Sequence, residues 1–267
     1  MNKALIIIPA YNEEKTIGKL LERLKESDIS GIADVVVMND SSKDDTGLVV
    51  REMGIGVIDH VYHLGYGSGL QLGYRYAYEH GYEYVIQMDA DGQHDACNVP
   101  EIYRALTTVG DSGLAPDLVL GSRFMNGWKD YPTSTVKRNA YRLFRLLIRL
   151  GTGKRITDPT TGLQGLSREA FSYYMQYGHF DDRYPDANMI MQMLLLGFNV
   201  EEIPALMHPR KSGKSMHSGL TPFMYMFRMS ASIIAVWIRI RLLKESRMTD
   251  PILPNDYGMD LKKEPKT

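Results

Sequence analysis

The sequence predicts an α/β fold, a mostly parallel central sheet with helices on both faces. Three observations predict it. Short apolar runs such as 4–8 and 118–121 read as strands buried on both sides. Helix-period segments alternate with them through the first half of the chain. Polar clusters at Asn12-Glu13, Asp40, Asp89-Ala90-Asp91 and Ser122-Arg123 follow the carboxyl ends of predicted strands, where such sheets bind ligands.

The elements follow in order. Residues 4–8 form a first strand, and 13–25 a helix with Ile17, Leu20, Leu21 and Leu24 on one face. Strands at 34–38 and 56–59 come next. The turn Gly65-Tyr66-Gly67-Ser68-Gly69 opens a helix that runs to about His80. It lacks the Gly-Lys-Ser/Thr ending of a nucleotide-binding P-loop, so it reads as a glycine turn admitting the helix. A strand at 84–88, a helix at 99–108 and a strand at 118–121 complete the alternation. The second half is more helical. A helix over 135–150 carries Arg138, Arg142, Arg145 and Arg149 at spacings that predict one stripe. A short strand at 163–166, helices at 168–177 and 186–196, and a late strand at 199–203 follow. Residues 222–243 are apolar but interrupted by Arg228, Arg239 and Arg241. The uninterrupted stretch 229–238 is too short to span a bilayer, which takes about 20 residues. Trp237 beside Arg239 and Arg241 suggests a helix lying in a membrane interface. Residues 223–227, rich in Phe and Met, read as packing or membrane contact. The polar tail after Met248 reads as disordered.

Composition narrows the function. The 267 residues include 44% hydrophobic and 24% charged, an ordinary globular balance. A net charge of −1 gives no electrostatic case for a nucleic-acid partner. The single cysteine, Cys97, cannot form an internal disulfide and fits a reducing, cytoplasmic setting. The first apolar run is too short for a signal peptide. Lys137 to Arg155 contains seven cations and no acid, and 210–247 is also mostly basic. A neutral protein with a basic second half suggests one surface that meets an anionic partner.

The chemistry starts at Asp89-Ala90-Asp91. Strand residues two apart share a face, so both carboxylates reach one side of the sheet mouth and repel each other. A divalent cation carrying phosphate oxygens relieves that repulsion, since Mg²⁺ takes one or two protein carboxylates and fills its shell with phosphates and water. That points to diphosphate chemistry. A capped turn is the competing reading.

Five motifs in order now carry a resemblance. Pro9-Ala10-Tyr11-Asn12-Glu13-Glu14, Asn39-Asp40-Ser41-Ser42-Lys43-Asp44, Asp89-Ala90-Asp91-Gly92-Gln93-His94, Gly121-Ser122-Arg123-Phe124 and Asp158-Pro159-Thr160-Thr161-Gly162 resemble those of family-2 glycosyltransferases. The third resembles the form found in the dolichyl- and polyprenyl-phosphate sugar synthase branch. The resemblance covers about residues 3–218. It implies a GT-A (nucleotide-diphospho-sugar transferase) fold over 1–220; beyond it the residue pattern reads as an amphipathic membrane-interface segment at 221–247 and a disordered tail at 248–267. It also implies a nucleotide-sugar donor, Mg²⁺ or Mn²⁺ as cofactor, and inversion at the anomeric carbon.

Carried over by residue, the resemblance puts Pro9, Ala10, Tyr11 and Glu13 around the nucleoside, with Asp40 on the base. Asp89 and Ala90 belong to the donor site, and Asp89, Asp91 and Gln93 to the metal and diphosphate. Glu13 also reads as a first-turn helix acid, and Asp40 as a turn former. Arg123, Ser134, Arg138 and Lys214 match positions where the lipid-phosphate branch binds its acceptor. His217 lies in a loop placed to close over the diphosphate, and His94 reads as a support of the metal motif. Asp91 and Arg123 are candidate catalytic residues. If the acceptor is a sugar hydroxyl, a base must take its proton. Asp186 and Asp158 are the candidates, each also readable as a cap or turn former.

The expectation is therefore a metal-dependent inverting transferase. It moves a hexose from a nucleoside-diphosphate sugar to a polyprenyl phosphate, peripheral at the cytoplasmic face of an anionic membrane, with room for a small membrane-protein partner. The rivals are a glycan acceptor in cell-surface polysaccharide assembly, a nucleotidyltransferase and a non-catalytic sugar-nucleotide-binding module. The nucleotidyltransferase would want a basic glycine loop after the first strand, and Pro9–Glu14 is not one.

Overall fold

The computed structural model describes residues 3–27, 29–110, 113–125, 134–208 and 221–244. Among the described residues, seven strands form one sheet: β1 (Ala4–Ala10), β2 (Ala33–Asn39), β3 (Gly56–Asp59), β4 (Tyr84–Gln87), β5 (Leu118–Ser122), β6 (Gln164–Ser167) and β7 (Val200–Pro204). Their order is β3-β2-β1-β4-β6-β5-β7. β6 runs antiparallel to both β4 and β5, while the other neighbours pair in parallel. The chain moves outward from β1 to β2 and β3, then crosses back to place β4 on the other side of β1. That reversal opens a crevice beyond the carboxyl ends of β1 and β4.

The described residues also form eight helices: α1 (Ile17–Glu26), α2 (Thr46–Glu52), α3 (Tyr66–Glu79), α4 (Asn98–Thr107), α5 (Thr135–Thr152), α6 (Arg168–Tyr174), α7 (Ala187–Leu195) and α8 (Thr221–Arg241). β1 is buried along its whole length and feeds two cores. Leu5 and Ile7 face a layer that holds Tyr74, Phe144, Tyr174, Met191 and Ile233. Ile6 and Ile8 face the opposite layer, with Leu20, Leu21, Val50, Val99 and Ile102. The period-two alternation of a strand requires this division, and it explains why β1 reads as continuously apolar.

Most elements begin and end within a few residues of expectation; the exceptions have physical causes. α1 starts at Ile17, not Glu13, because Asn12 adopts a left-handed φ of 56° and Glu13 O accepts from Thr16 N and Ile17 N in a turn. α2 has no clear periodic signal. Its seven residues include a glycine and two valines, poor helix formers. Tertiary contact holds it, through buried Val50 and an ion pair from Arg51 to Asp59.

The last helix differs most from expectation. By length and composition 223–241 does qualify as a membrane-crossing helix, despite its short uninterrupted core. It nonetheless packs against α5 and α7. Met229, Ile233, Val236 and Ile240 recur at helical spacing and are buried. Trp237, expected at a membrane interface, is half-buried, and a Cβ on Gly151 of α5 would lie 3.0 Å from its ring. Arg239 donates to Gly178 O and to the Gln192 side chain rather than facing outward. The segment is therefore part of the fold along one face. The expected arginine stripe is also split: Arg138, Arg142 and Arg149 are exposed, whereas Arg145 turns inward over the Phe124 ring at 4.8 Å. Burial pulls the Arg145 pKa below its usual value.

If α8 is a structural helix, Ile233→Ala should cost about 2–4 kcal/mol of unfolding free energy. Ile234→Ala, one residue away and 49% exposed, should change stability by less than about 0.5 kcal/mol. Urea unfolding in detergent-free buffer measures both, and equal effects would contradict the packing described.

Candidate active site

Two loops that are separate motifs in the sequence form one clasp. Asn12 N donates to Ser42 Oγ at 3.0 Å, and Lys43 N donates back to Asn12 Oδ1 at 2.8 Å. Glu13 N donates to Thr46 Oγ1 at 2.8 Å. Asn12 and Ser41 hold left-handed φ values of 56° and 59°, sparsely populated for residues with a side chain. The clasp offsets that cost and sets the ends of β1 and β2 against each other. Glu13 is not a first-turn helix acid, since α1 begins at Ile17; its carboxylate accepts from Thr16 Oγ1 at 2.6 Å in the turn before the helix. It also faces a cavity of about 820 Å³.

That cavity gathers most of the predicted donor site. Pro9, Ala10, Tyr11, Glu13, Asp40, Asp89, Ala90, Asp91 and Asp186 all line it. Several residues that sequence reasoning did not place there join them: His63, Leu64, Tyr66, Thr160, Gly162, Arg183, Tyr184 and Pro185. The Gly65–Gly69 turn brings Tyr66 in. Gly67 N donates to Asp182 O at 3.0 Å, and a Cβ there would sit 2.2 Å from Asp181 O. Only glycine lets α3 approach the 181–186 loop so closely.

Asp89 is the most constrained group. Tyr66 Oη donates to its Oδ1 at 2.7 Å, and His94 Nε2 approaches its Oδ2 at 3.1 Å. A Cβ on Gly162 would lie 2.3 Å from Oδ2, so the 158–162 turn can cross the carboxylate only as glycine. Burial alone would raise the Asp89 pKa. The hydrogen bond and charge of His94, the Tyr66 hydroxyl and the Arg123 charge outweigh it and hold the carboxyl below its usual value. Burial pushes the Tyr66 phenol well above its ordinary value, so it stays a neutral donor. His94 is fully buried and supports Asp89, as expected.

Asp91 faces the cavity, and its Oδ1 accepts from Gln93 N at 3.0 Å. Gln93 differs from expectation. Its side-chain amide points to His208 O at 3.5 Å and it does not line the cavity, so the metal-ligand reading fits Asp89 and Asp91 but not Gln93.

Arg123 and Asp158 are given to each other. Arg123 Nε and Nη2 donate to the Asp158 carboxylate at 2.6 Å each, Arg123 N adds a third bond at 3.0 Å, and Nη2 also reaches Thr160 Oγ1 at 2.7 Å. Asp158 is fully buried and Arg123 nearly so, and neither lines the cavity. This corrects the reading of Asp158 as a base and of Arg123 as a direct acceptor contact. A buried bidentate pair anchors the turn that carries Thr160 and Gly162 to the cavity. Ser134 caps α5, its Oγ accepting from Lys137 N at 3.4 Å, and Arg138 is exposed in the first turn of that helix. Lys214 and His217 lie outside the described residues.

Asp186 stands at the N-terminus of α7 without capping it. Its Oδ2 accepts from Tyr225 Oη of α8 at 2.6 Å. No sequence signal pointed to Tyr225, which lies 39 residues away. Burial pushes the Asp186 pKa up to about 6, the Tyr225 bond opposes that, and the Asp89 charge adds to it.

Residues 5–175 match the profile described as Glycosyl transferase family 2. The chain belongs to this family. Among curated relatives, an undecaprenyl-phosphate mannosyltransferase from Micrococcus luteus is 28% identical, covering 81% of this chain and 88% of its own. A polyprenol monophosphomannose synthase from Mycolicibacterium smegmatis is also 28% identical, covering 90% and 89%. Among solved structures, glucosyl-3-phosphoglycerate synthase from Mycobacterium tuberculosis, crystallised with Mn²⁺, UDP-glucose and phosphoglyceric acid, aligns with a TM-score of 0.65. It is 16% identical and covers 88% of this chain and 80% of its own, a likeness of fold that matches the expected GT-A arrangement.

The transferase offers a donor set that suits a hard divalent cation. Among the described residues no three His, Cys, Asp or Glu side chains form a metal cage. Two carboxylates suffice when substrate phosphates complete the shell, and each Asp89 oxygen retains acceptor capacity beyond its one hydrogen bond.

Asp89 and Asp186 are pushed in opposite directions, and Asp186 gives a signed prediction. Its pKa is raised in the fold, so the stability it contributes is full below about pH 4 and is lost as pH rises through about 6. In the transferase, Asp186→Asn should melt higher than wild type at pH 7.5 and equally at pH 4, as read by thermal unfolding across that range. A gain independent of pH would sink the assignment.

Proposed function

We propose that this transferase moves a hexosyl group, with inversion, from a nucleoside-diphosphate sugar to a polyprenyl phosphate, using Mg²⁺ or Mn²⁺. The observation that carries the reading is the carboxylate pair Asp89 and Asp91 at the β1–β4 switch point, on the floor of a cavity walled by Tyr11 and Asp40. The names of the polyprenyl-phosphate relatives support the acceptor, and the neighbour's complex with Mn²⁺ and UDP-glucose supports the donor and metal.

Each part of the cavity has a task in that reaction. Tyr11 and Asp40 hold the nucleoside, and Asp89 and Asp91 hold the metal against the diphosphate. The bound cation supplies Lewis-acid stabilisation of the charge that develops on the β-phosphate. An acceptor phosphate oxygen forms the new bond to the anomeric carbon as the bond to the β-phosphate oxygen breaks. That nucleophile is already anionic, so no strong general base is needed. Asp186 lies across the cavity and orients the sugar.

A donor panel with polyprenyl phosphate, read by release of nucleoside diphosphate, tests this. Asp91→Asn should lower kcat/KM by at least about 100-fold, in line with loss of a group stabilising developing charge, and chelator should abolish turnover. Turnover that survives chelator would remove the metal from the mechanism.

The acceptor reading calls for a membrane surface. α5 and α8 pack side by side, and each exposes apolar residues: Leu146 and Leu150 on α5, Phe223, Phe227 and Ile238 on α8. Exposed Arg142 and Arg149 flank the α5 pair in sequence. Basic contacts to an anionic leaflet are worth roughly 1 kcal/mol each. The double variant Arg142→Glu, Arg149→Glu should therefore bind anionic vesicles at least about tenfold more weakly in a sedimentation assay. Unchanged binding would place the membrane contact elsewhere.

One observation favours a second reading. Asp186 lines the cavity with a pKa of about 6, a value suited to taking a proton from a sugar hydroxyl near neutral pH. With a glycan acceptor Asp186→Asn abolishes turnover; with a phosphate acceptor it lowers turnover modestly and leaves the pH profile flat above pH 6.

A further inference from the structure

Asp40 spends most of its hydrogen-bonding capacity within the protein. Its Oδ1 accepts from Leu64 N at 2.8 Å and His60 Nδ1 at 2.9 Å. Its Oδ2 accepts from Gly65 N at 2.8 Å and lies 2.8 Å from His63 Nδ1, which hydrogen-bonds instead to the Asp40 backbone carbonyl at 3.3 Å. A carboxylate offers about four acceptor sites, and three are taken when the His60 imidazole carries its proton on Nδ1. The fourth is covered by the His63 ring, so a nucleobase N–H reaches Asp40 only if one of these four groups leaves.

The four differ in what they can give up. Two are backbone N–H groups set by the turn into α3. The His60 side chain is 2% exposed and enclosed. The His63 side chain is 51% exposed, with solvent on its open side. His63 also stacks on Tyr11, with ring centroids 3.9 Å apart and planes 26° apart. A planar base cannot enter between them, since two successive contacts of about 3.5 Å would be needed. The imidazole thus occupies, on Tyr11 and beside the Asp40 carboxylate, the ring stack and the place that a base would take.

We infer that His63 is a resident stand-in for the nucleobase, holding the base subsite in the free enzyme and leaving Tyr11 and Asp40 when the donor binds. The inference rests on the donor site proposed above. It makes His63 a determinant of donor affinity acting by competition, and so predicts that removing it strengthens binding.

The test is calorimetric titration of wild type and His63→Ala with UDP, GDP, ADP, CDP and inorganic pyrophosphate, in Mn²⁺, with thermal melts to confirm folding. His63→Ala should bind the accepted nucleoside diphosphate more tightly, on the order of fivefold, the scale of one exposed hydrogen bond. Pyrophosphate, which makes no base contact, should bind the two proteins alike. If His63→Ala fails to fold, His63→Phe carries the same test with a smaller gain, because its ring still covers Tyr11. Unchanged or weaker nucleotide binding in the folded variant overturns the inference while leaving the donor site intact. Equal tightening of pyrophosphate also overturns it. If folded wild type and variant bind none of the nucleotides, the donor reading itself fails and the role of His63 falls with it.

Discussion

Keeping the Asp89 carboxylate ionised while protein surrounds it is the constraint around which the rest of the structure is arranged. Burial works against the charge, and no single neighbour removes that penalty. α3 supplies the Tyr66 hydroxyl, and the start of the β4–α4 connection supplies His94. The 158–162 turn comes within contact only because residue 162 is glycine. The Arg123–Asp158 pair in turn holds that turn in place and adds a positive field. Each contact comes from a different element, so the charge is stable only in the assembled fold.

Asp89 and Asp186 face one cavity under opposite influences. Hydrogen bonds and cations hold the first below its usual pKa, while burial and the Asp89 charge lift the second to about 6. Environments that push two acids apart also separate their roles. One remains an anion suited to a cation and phosphates. The other can carry or release a proton near neutral pH. A single phenol from α8 tunes the second, so the helix that bears the exposed apolar face also touches the site. Surface and chemistry meet in α8 through Tyr225.

Much of this was legible in the residues. β1 reads as buried on both faces because it is, and its flanking polar motif lies at the switch point because β1 is central. Glu13, Asp40, Asp89 and Asp91 converge on one cavity as strand-end positions should. α2 was not legible, because Gly47 and its valines disfavour helix locally and only packing restores it. Trp237 and Arg239 look like interface anchors in the sequence, yet their partners Gly151, Gly178 and Gln192 lie far along the chain.

The sequence by itself determined the α/β alternation, the strand ends that carry carboxylates and the family, because strand periodicity and short polar motifs are local properties. Only the tertiary structure decided what each polar group faces. Arg123 and Asp158 neutralise each other across 35 residues, Tyr66 and Tyr225 reach Asp89 and Asp186 from separate helices, and His63 closes on Tyr11 and Asp40. A side chain's charge and donors are written in its residue type. Whether they meet water, substrate or one another depends on burial and long-range pairing, which no local pattern encodes.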